Sequence, residues 1–127
     1  MQRELAAGRR PGVARFEPLL DAMDLGGSVD PEVRASLVEL WAVRNVLVHR
    51  RGRTDARFKE SCPWIAASPG DEICVSMTML TRYMAASMAY ASEVMKRVYL
   101  AYGVPTGALD RFLADLVPLA RRSGKRA

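Results

Sequence analysis

Apolar residues recur at helical spacing, three or four positions apart, in four stretches of this chain. Glycines and prolines, which commonly end helices, separate the stretches. The pattern therefore predicts an all-α domain arranged as a four-helix up-and-down bundle, in which two long helices pack antiparallel. The four predicted helices cover residues 15–25, 30–50, 77–102 and 106–121.

The start of the second helix is the best-defined boundary. Asp30 can accept hydrogen bonds from free backbone amides, Pro31 suits the first helical position, and Glu32 adds negative charge near the positive helix end. We expect this helix to run to His49 or Arg50.

The first and last stretches predict short amphipathic helices. We expect Gly26 and Gly27 to close the first, and Pro118 to bend or end the last because proline lacks a backbone donor. Their apolar positions are Phe16, Leu19, Leu20 and Met23 in the first and Leu109, Phe112, Leu113 and Leu116 in the last.

The third stretch carries a long apolar stripe, which we expect to face the core. We interpret its methionines as flexible packing residues rather than as the lining of a binding groove. Ala85, Ala86 and Ala89 leave room for a second helix to approach closely. The stripe comprises Met77, Leu80, Met84, Met88, Ala91, Met95, Val98 and Tyr102.

The connection after the second helix, residues 51–71, is rich in glycine and proline. A long connection without regular structure is uncommon in a small domain unless it has a function. Within it we expect one helical turn over residues 54–60, with Phe58 on the core. A brief extended piece is expected over residues 73–76.

The second helix presents a charge on its apolar side. At about 100° per residue, Arg44 falls near the middle of the predicted apolar face. Because a buried, unpaired guanidinium is costly, Arg44 should meet a carboxylate, carbonyl oxygens or a phosphate. A purely structural partner would be Glu39, Asp55 or Asp71. The face comprises Val33, Ser36, Leu37, Leu40, Trp41, Val43, Leu47 and Val48.

A second flank of this helix holds the single histidine of the chain. His49 lies four residues after Asn45, so the two side chains are neighbours. Val38, Ala42 and Val46 share that flank. Since a helix that is apolar on two sides tends to be covered on both, we expect a second copy of the chain there, giving a homodimer.

Composition limits the class of protein. The chain has 127 residues, of which 50% are hydrophobic and 26% charged, as is typical of one folded domain. We treat residues 1–127 as a single domain, and we expect residues 1–14 and 122–127 to be flexible. The net charge of +5 favours an anionic partner.

Cysteine usage and hydropathy exclude other classes. Cys62 and Cys74 have no second pair and no histidine at metal-ligand spacing, so we expect reduced thiols and neither a metal nor another cofactor. A disulfide between them is the alternative. Charges interrupt the apolar residues 77–101, and residues 1–11 are polar, so no membrane span or signal peptide is expected and the location is cytoplasmic.

The end of the second helix carries a motif. It reads Arg-Asn-Val-Leu-Val-His over residues 44–49 and continues as Arg-Arg-Gly-Arg-Thr-Asp-Ala-Arg-Phe over residues 50–58. The arginine, the polar residue after it and the histidine after four intervening residues resemble the HEPN superfamily (higher eukaryotes and prokaryotes nucleotide-binding domain). The continuation looks like a prokaryotic branch linked to defence. The resemblance also covers the helical layout of residues 30–101.

The resemblance implies a HEPN domain with metal-independent endoribonuclease activity on RNA. In such proteins two chains pair about a two-fold axis, and their motifs form one positively charged cleft. By position, Arg44 would hold the scissile phosphate, His49 would act as general acid or base, and Asn45 would position either. The products would carry a cyclic phosphate and a free 5′-hydroxyl.

The basic run after His49 supplies candidate phosphate contacts, although such runs are commonly only solvated surface. Arg50, Arg51 and Arg53 lie beside the expected cleft. The resemblance further implies a toxin or defence nuclease, restrained by an antitoxin or another regulatory protein.

The spacing of Arg44 and His49 leaves their cooperation open. Five residues apart, they diverge by about 140° on an ideal helix. Either the helix loosens near Gly52, or Arg44 of one chain works with His49 of the other, or Arg44 orders the fold from inside.

Two other functions remain compatible with the residues. A helical module without catalysis would bind nucleotide, RNA or a partner protein and use Arg44 and His49 for folding and dimerisation. A histidine at a helix C-terminus also interacts favourably with the helix dipole without any catalytic role. A helical DNA-binding regulator is disfavoured, because no short turn is followed by a compact basic recognition helix.

Overall fold

A computed structural model describes residues 12–122, which are all-α, as predicted. No strand occurs in this part of the chain, and one isolated bridge pairs Arg53 with Glu72. None of its helices is long and apolar enough to cross a membrane. A 3₁₀ helix spans Gly12–Arg15, and the α-helices are α1 (Glu17–Ala22), α2 (Pro31–His49), α3 (Ala56–Ser61), α4 (Met77–Ala101) and α5 (Gly107–Ala120).

The predicted helix boundaries are largely confirmed. Asp30 caps α2, since its Oδ1 accepts hydrogen bonds from the backbone amides of Glu32 at 2.9 Å and Val33 at 3.3 Å. The predicted turn in the connection is α3, and its Phe58 is buried. Helix α5 continues through Pro118 to Ala120, close to its predicted end at residue 121, so Pro118 does not end the helix at its own position.

Three long helices build the core. Val33, near the start of α2, belongs to one buried cluster with Ala89 of α4, whereas Val46, near the end of α2, belongs to another with Tyr83. The two helices therefore run antiparallel. Helix α5 adds Leu116 to the first cluster. The predicted four-helix bundle is not confirmed, because α1 and α3, the other α-helices of residues 12–122, are only six residues long.

The start of the described chain is held by polar contacts. Arg97 of α4 is 8% exposed, and its Nη1 lies 3.2 Å from a carboxylate oxygen of Glu17. The predicted apolar positions of α1 remain largely exposed, including Leu19 at 65%. Of the segments predicted to be flexible, residues 1–11 and 123–127 lie outside the described residues, whereas residues 12–14 belong to the 3₁₀ helix, in which Val13 is buried.

The buried face of α2 is rotated from the predicted one. Arg44, Leu47 and Val48 are exposed, so the expectation that Arg44 lies within the core is wrong. The flank with Ala42 and Val46, where a second copy was expected, is covered by the chain itself. Helix α3 brings Phe58 and its C-cap Cys62 against it. The buried positions are Val33, Ser36, Glu39, Ala42, Val43 and Val46.

The buried face of α4 also differs from the prediction. The stripe expected in the core points outward, and Met77, Met84 and Met88 are 76%, 58% and 45% exposed. The side facing α2 and α5 instead carries alanines, with Ala86 fully buried. Two helices pack against this side, and only small residues allow them to approach so closely.

Candidate functional site

Helix α2 ends in a tight backbone reversal directly after His49. The backbone amides of Arg50 and Gly52 both donate to the carbonyl oxygen of Val46, at 2.9 and 3.0 Å. Between them Arg51 has φ 54°, a left-handed conformation that is uncommon for a residue with a side chain. The reversal turns the chain away from the helix axis and leaves His49 exposed on the last turn.

Two residues hold helix α3 beside this end of α2: Asp55 at its N-terminus and the buried Phe58. Asp55 caps α3, because its Oδ1 accepts a hydrogen bond from the amide of Phe58 at 2.9 Å. Its Oδ2 lies 3.3 Å from Nε of Arg50. Phe58, only 3% exposed, packs into the cluster that contains Ala42 and Val46. The two helices therefore form two walls of one cavity.

The cavity has a volume of about 420 Å³ and holds half of the predicted site. Asn45 and His49, one turn apart, both line it, as does Arg50 from the start of the reversal. The complete lining is Trp41, Ala42, Asn45, Val46, His49, Arg50, Asp55, Arg57, Phe58 and Ser61.

Arg44 lies outside this cavity and is connected to it only through Asn45. It lines a neighbouring apolar pocket of about 380 Å³, and its Nη1 donates to Oδ1 of Asn45 at 3.1 Å. Trp41 lines both spaces. Arg51 and Arg53 do not line the cavity, and Arg53 donates instead to the carbonyl oxygen of Gly70 at 3.3 Å.

Sequence reasoning missed two polar residues of the cavity. Arg57 and Ser61 lie one turn apart on α3 and both line it. The predicted helical turn over residues 54–60, extended by one residue, would have placed residues 57 and 61 on one side. Arg57 takes part in none of the ion pairs found within residues 12–122, whereas Arg50 is paired. Arg57 is therefore the cation best placed to receive an anion.

The cavity combines groups that suit phosphodiester chemistry. An imidazole transfers protons near neutral pH, guanidinium groups bind phosphate oxygens, and an amide can orient either. Within residues 12–122, no three His, Cys, Asp or Glu side chains come together in a way that could hold a metal ion.

The thiol of Cys62, which lies at the C-terminal end of α3, is not suited to act as a nucleophile. Cys62 is fully buried, and this burial together with the negative charge of Glu39 raises its pKa to about 12. The thiolate needed for nucleophilic attack is therefore scarce at neutral pH. Cys62 and the exposed Cys74 are both free, as predicted.

A buried polar cluster ties the connection to the middle of α2. Glu39 is 2% exposed and accepts hydrogen bonds from Trp64 Nε1 at 2.8 Å and from Arg82 and Tyr83. Burial and the hydrogen bond to Glu39 raise the pKa of Tyr83. The arginine–carboxylate pair expected for Arg44 thus exists in the core, but Arg82 supplies the guanidinium.

No family model, no curated protein and no solved structure matches this chain. The functional assignment therefore depends on the motif over residues 44–49 and on the cavity that it lines.

Proposed function

We propose that this protein is a metal-independent endoribonuclease of HEPN type, and that the cavity between α2 and α3 holds the scissile phosphodiester. The observation that carries the proposal is the meeting of His49 and Asn45 with two guanidinium groups, those of Arg50 and Arg57, in one cavity. A net charge of +5 supports a polyanionic substrate such as RNA.

The reaction needs one proton removed and one delivered. The ribose 2′-oxygen attacks the phosphorus, the bond from phosphorus to the 5′-oxygen breaks, and the products are a cyclic phosphate and a 5′-hydroxyl. His49 either takes the proton of the 2′-hydroxyl or gives one to the leaving 5′-oxygen, and water exchanges the other. Its exposure on the last turn of α2 leaves it within reach of a polynucleotide.

The guanidinium groups stabilise the charge that develops on the phosphate oxygens. Arg57 contributes directly, and Arg50 does so while it is held by Asp55. Arg44 contributes through its hydrogen bond to Asn45. These side chains belong to one chain, and in the proposed homodimer the motif of the second copy adds its arginine and histidine to form one composite active site. The proposal includes a homodimer, a cytoplasmic location and a toxin or defence role with an antitoxin or other regulatory partner.

Incubation of single-stranded RNA with the purified protein in EDTA tests this function. We expect cleavage in EDTA with cyclic phosphate ends, and a loss of about 10²–10⁴-fold in His49→Ala. Arg53→Ala, which changes a neighbouring arginine outside the cavity, is the control and should cleave normally. Cleavage that survives His49→Ala, or that requires a divalent metal, would contradict the proposal.

A non-catalytic nucleotide-binding module is the second candidate. The pocket beside the cavity favours it, because aromatic side chains of Phe16, Trp41 and Tyr90 line that pocket together with Arg44, and bases stack on such side chains. In that case wild-type protein binds RNA without cutting it, and His49→Ala leaves binding unchanged.

A further inference from the structure

Another cavity lies between the start of α4, the end of α5 and the connection that follows α2. Its volume is about 780 Å³, within the range of ligand-binding clefts. It shares no lining residue with the cavity of His49. Because three arginines line it, we name it the arginine cavity and define it by Arg82, Arg121 and Arg122 together with Trp64, Met77 and Leu119.

The charges in the lining favour an anion. Arg82 comes from α4, whereas Arg121 and Arg122 follow directly after α5. The acidic member of the lining is Glu39, which already accepts hydrogen bonds within the chain. Three positive charges against one negative charge leave an excess of two. A cleft lined by one sign of charge attracts ligands of the opposite sign.

The two arginines after α5 are only weakly engaged within the chain. Nη2 of Arg121 lies 3.3 Å from a carboxylate oxygen of Asp30. Nε of Arg122 lies 3.7 Å from a carboxylate oxygen of Glu32, which is too far for a hydrogen bond. The side chains of Arg121 and Glu32 are 54% and 42% exposed, and ion pairs at such exposure add little stability. Both guanidinium groups can therefore turn to a ligand at low cost.

Two arginines of this cavity also have donors without an acceptor. Nε of Arg82 and Nε of Arg122 are buried and make no hydrogen bond within residues 12–122. Buried donors are nearly always paired. Arg82 and Arg122 thus have donor capacity that the described chain does not use. Arg122 is also held in place, because its Cζ lies 4.7 Å from the ring centroid of Trp64.

Much of the remaining lining is apolar. Ile65, Met79 and Pro118 contribute to it, and so do Met77 and Leu119. The last two are 76% and 56% exposed. Exposed apolar side chains rimmed by charged groups mark ligand-binding grooves. A simple inorganic anion would leave these side chains in water, whereas a ligand with an apolar body would cover them.

We propose that the arginine cavity binds a small amphipathic anion, with one carboxylate or phosphate head group at the guanidinium groups and an apolar body against Met77 and Leu119. Guanidinium groups bind both kinds of head group through paired N–H donors. A polynucleotide would leave the aliphatic side chains uncovered. The inference goes beyond the proposed function, and RNA cleavage does not test it, because the two cavities share no residue.

Isothermal titration calorimetry with five probes tests the class of ligand. Octanoate and octyl phosphate have both parts, 1-octanol lacks the charge, and acetate and inorganic phosphate lack the apolar body. We expect octanoate or octyl phosphate to bind at least about tenfold more tightly than the other three. The tighter of the two identifies the head group. Equal binding of 1-octanol or of inorganic phosphate, or no binding of either amphipathic probe, would overturn the proposal.

Substitutions at the cavity test the location. Arg121→Gln/Arg122→Gln should weaken binding of the tighter amphipathic probe by at least about tenfold, and Leu119→Ser should weaken it through the apolar body. Arg111→Gln and Leu100→Ser change an exposed arginine and an exposed leucine outside the cavity, so these controls should bind as the wild type does. Unchanged binding in either cavity variant, or equal weakening in its control, would overturn the assignment.

Trp64 provides a local signal of binding. The chain has two tryptophans, so Trp41→Phe leaves Trp64 as the only one. Since Trp64 lines the cavity beside Arg122, we expect the tighter amphipathic probe to change its fluorescence with saturation at the calorimetric Kd. 1-Octanol at the same concentrations should leave the fluorescence unchanged. A constant Trp64 signal while the tighter amphipathic probe binds would place that probe outside the arginine cavity and overturn the proposal.

Discussion

The guanidinium of Arg44 donates a hydrogen bond from Nη1 to Oδ1 of Asn45 at 3.1 Å. Consecutive residues on a helix diverge by about 100°, and accordingly Asn45 lines the cavity of His49 whereas Arg44 lines the apolar pocket beside it. The bond thus connects an exposed arginine to the cavity from outside. Through this bond Arg44 can affect the position of Asn45 in the site although it is not buried in the core.

Replacement of Arg44 should separate a role at the site from a role in the fold. Because the side chain is exposed, we expect Arg44→Ala to change the free energy of unfolding by less than about 0.5 kcal/mol. Because Arg44 acts through Asn45, loss of its guanidinium should misplace that amide and lower kcat/KM for RNA by about 10²-fold. Urea unfolding and cleavage kinetics measure the two quantities.

Asn45→Ala should lower kcat/KM similarly, and the double variant should lose less than the two single losses combined, because the residues act as a unit. Arg111→Ala, an exposed arginine on α5, is the control for both measurements. A large drop in the unfolding free energy of Arg44→Ala would show instead that this arginine is structural.

The helix boundaries could be predicted because they depend on local chemistry. Asp30 and Pro31 specify the start of α2 within a few residues of sequence. Which side of a helix is buried depends on what packs against it. In α4 the stripe of methionines is more hydrophobic than the alanines, yet the close approach of two helices selects Ala86 and Ala89 for the core. No local pattern contains that information.

The candidate site likewise has a part that could be predicted from local spacing and a part that depends on tertiary packing. Helical spacing alone places Asn45 and His49 side by side, and the structure brings both into one cavity. Arg57 and the cover over Ala42 depend on the connection folding back along α2, which is a tertiary event. The same fold-back carries Trp64 to Glu39, so the carboxylate is already occupied by other partners than Arg44.

Arg57 should contribute one phosphate contact to RNA binding. We expect Arg57→Ala to weaken RNA binding and to reduce the slope of log K against log salt by about 0.7, as for one contact to a single strand. Titration of a labelled RNA at several salt concentrations measures the slope. Arg53→Ala, whose side chain donates to Gly70 outside the cavity, should keep the wild-type slope. Equal slopes in all three proteins would place Arg57 away from the phosphates.

The Glu39 cluster should be critical for stability. Glu39→Gln removes the carboxylate charge beside Arg82, and breaking one side of a buried pair costs about 3–5 kcal/mol. Glu39→Gln/Arg82→Met should recover part of the loss, because no unpaired charge stays behind. Urea unfolding compares the variants, with Asp110→Asn at an exposed ion pair as a control that changes little. Equal destabilisation of the single and double variants would exclude the charge as the cause.

The buried thiol predicts how stability responds to alkaline pH. Burial raises the pKa of Cys62 from 9.0 to about 12 in the folded chain. The unfolded chain therefore loses this proton first, so the stabilisation is complete below pH 9 and is lost as the pH rises towards 12, by at most about 1.4 kcal/mol per pH unit. Tyr90, whose pKa is raised from 10.0 to about 12 by burial and by Glu17, and Tyr83, whose pKa is raised by burial and by Glu39, begin to add to the loss about one pH unit later.

Urea unfolding at pH 8, 9 and 9.5, before the tyrosines contribute much, should therefore show a fall in the wild type that is much smaller in Cys62→Ala. Cys74→Ala, which changes the exposed thiol, should keep the wild-type fall. If Cys62→Ala lost stability as steeply as the wild type, the pH dependence would have to arise from another group. The comparison thus tests whether the thiol beneath α3 keeps its proton in the folded protein, as its burial requires.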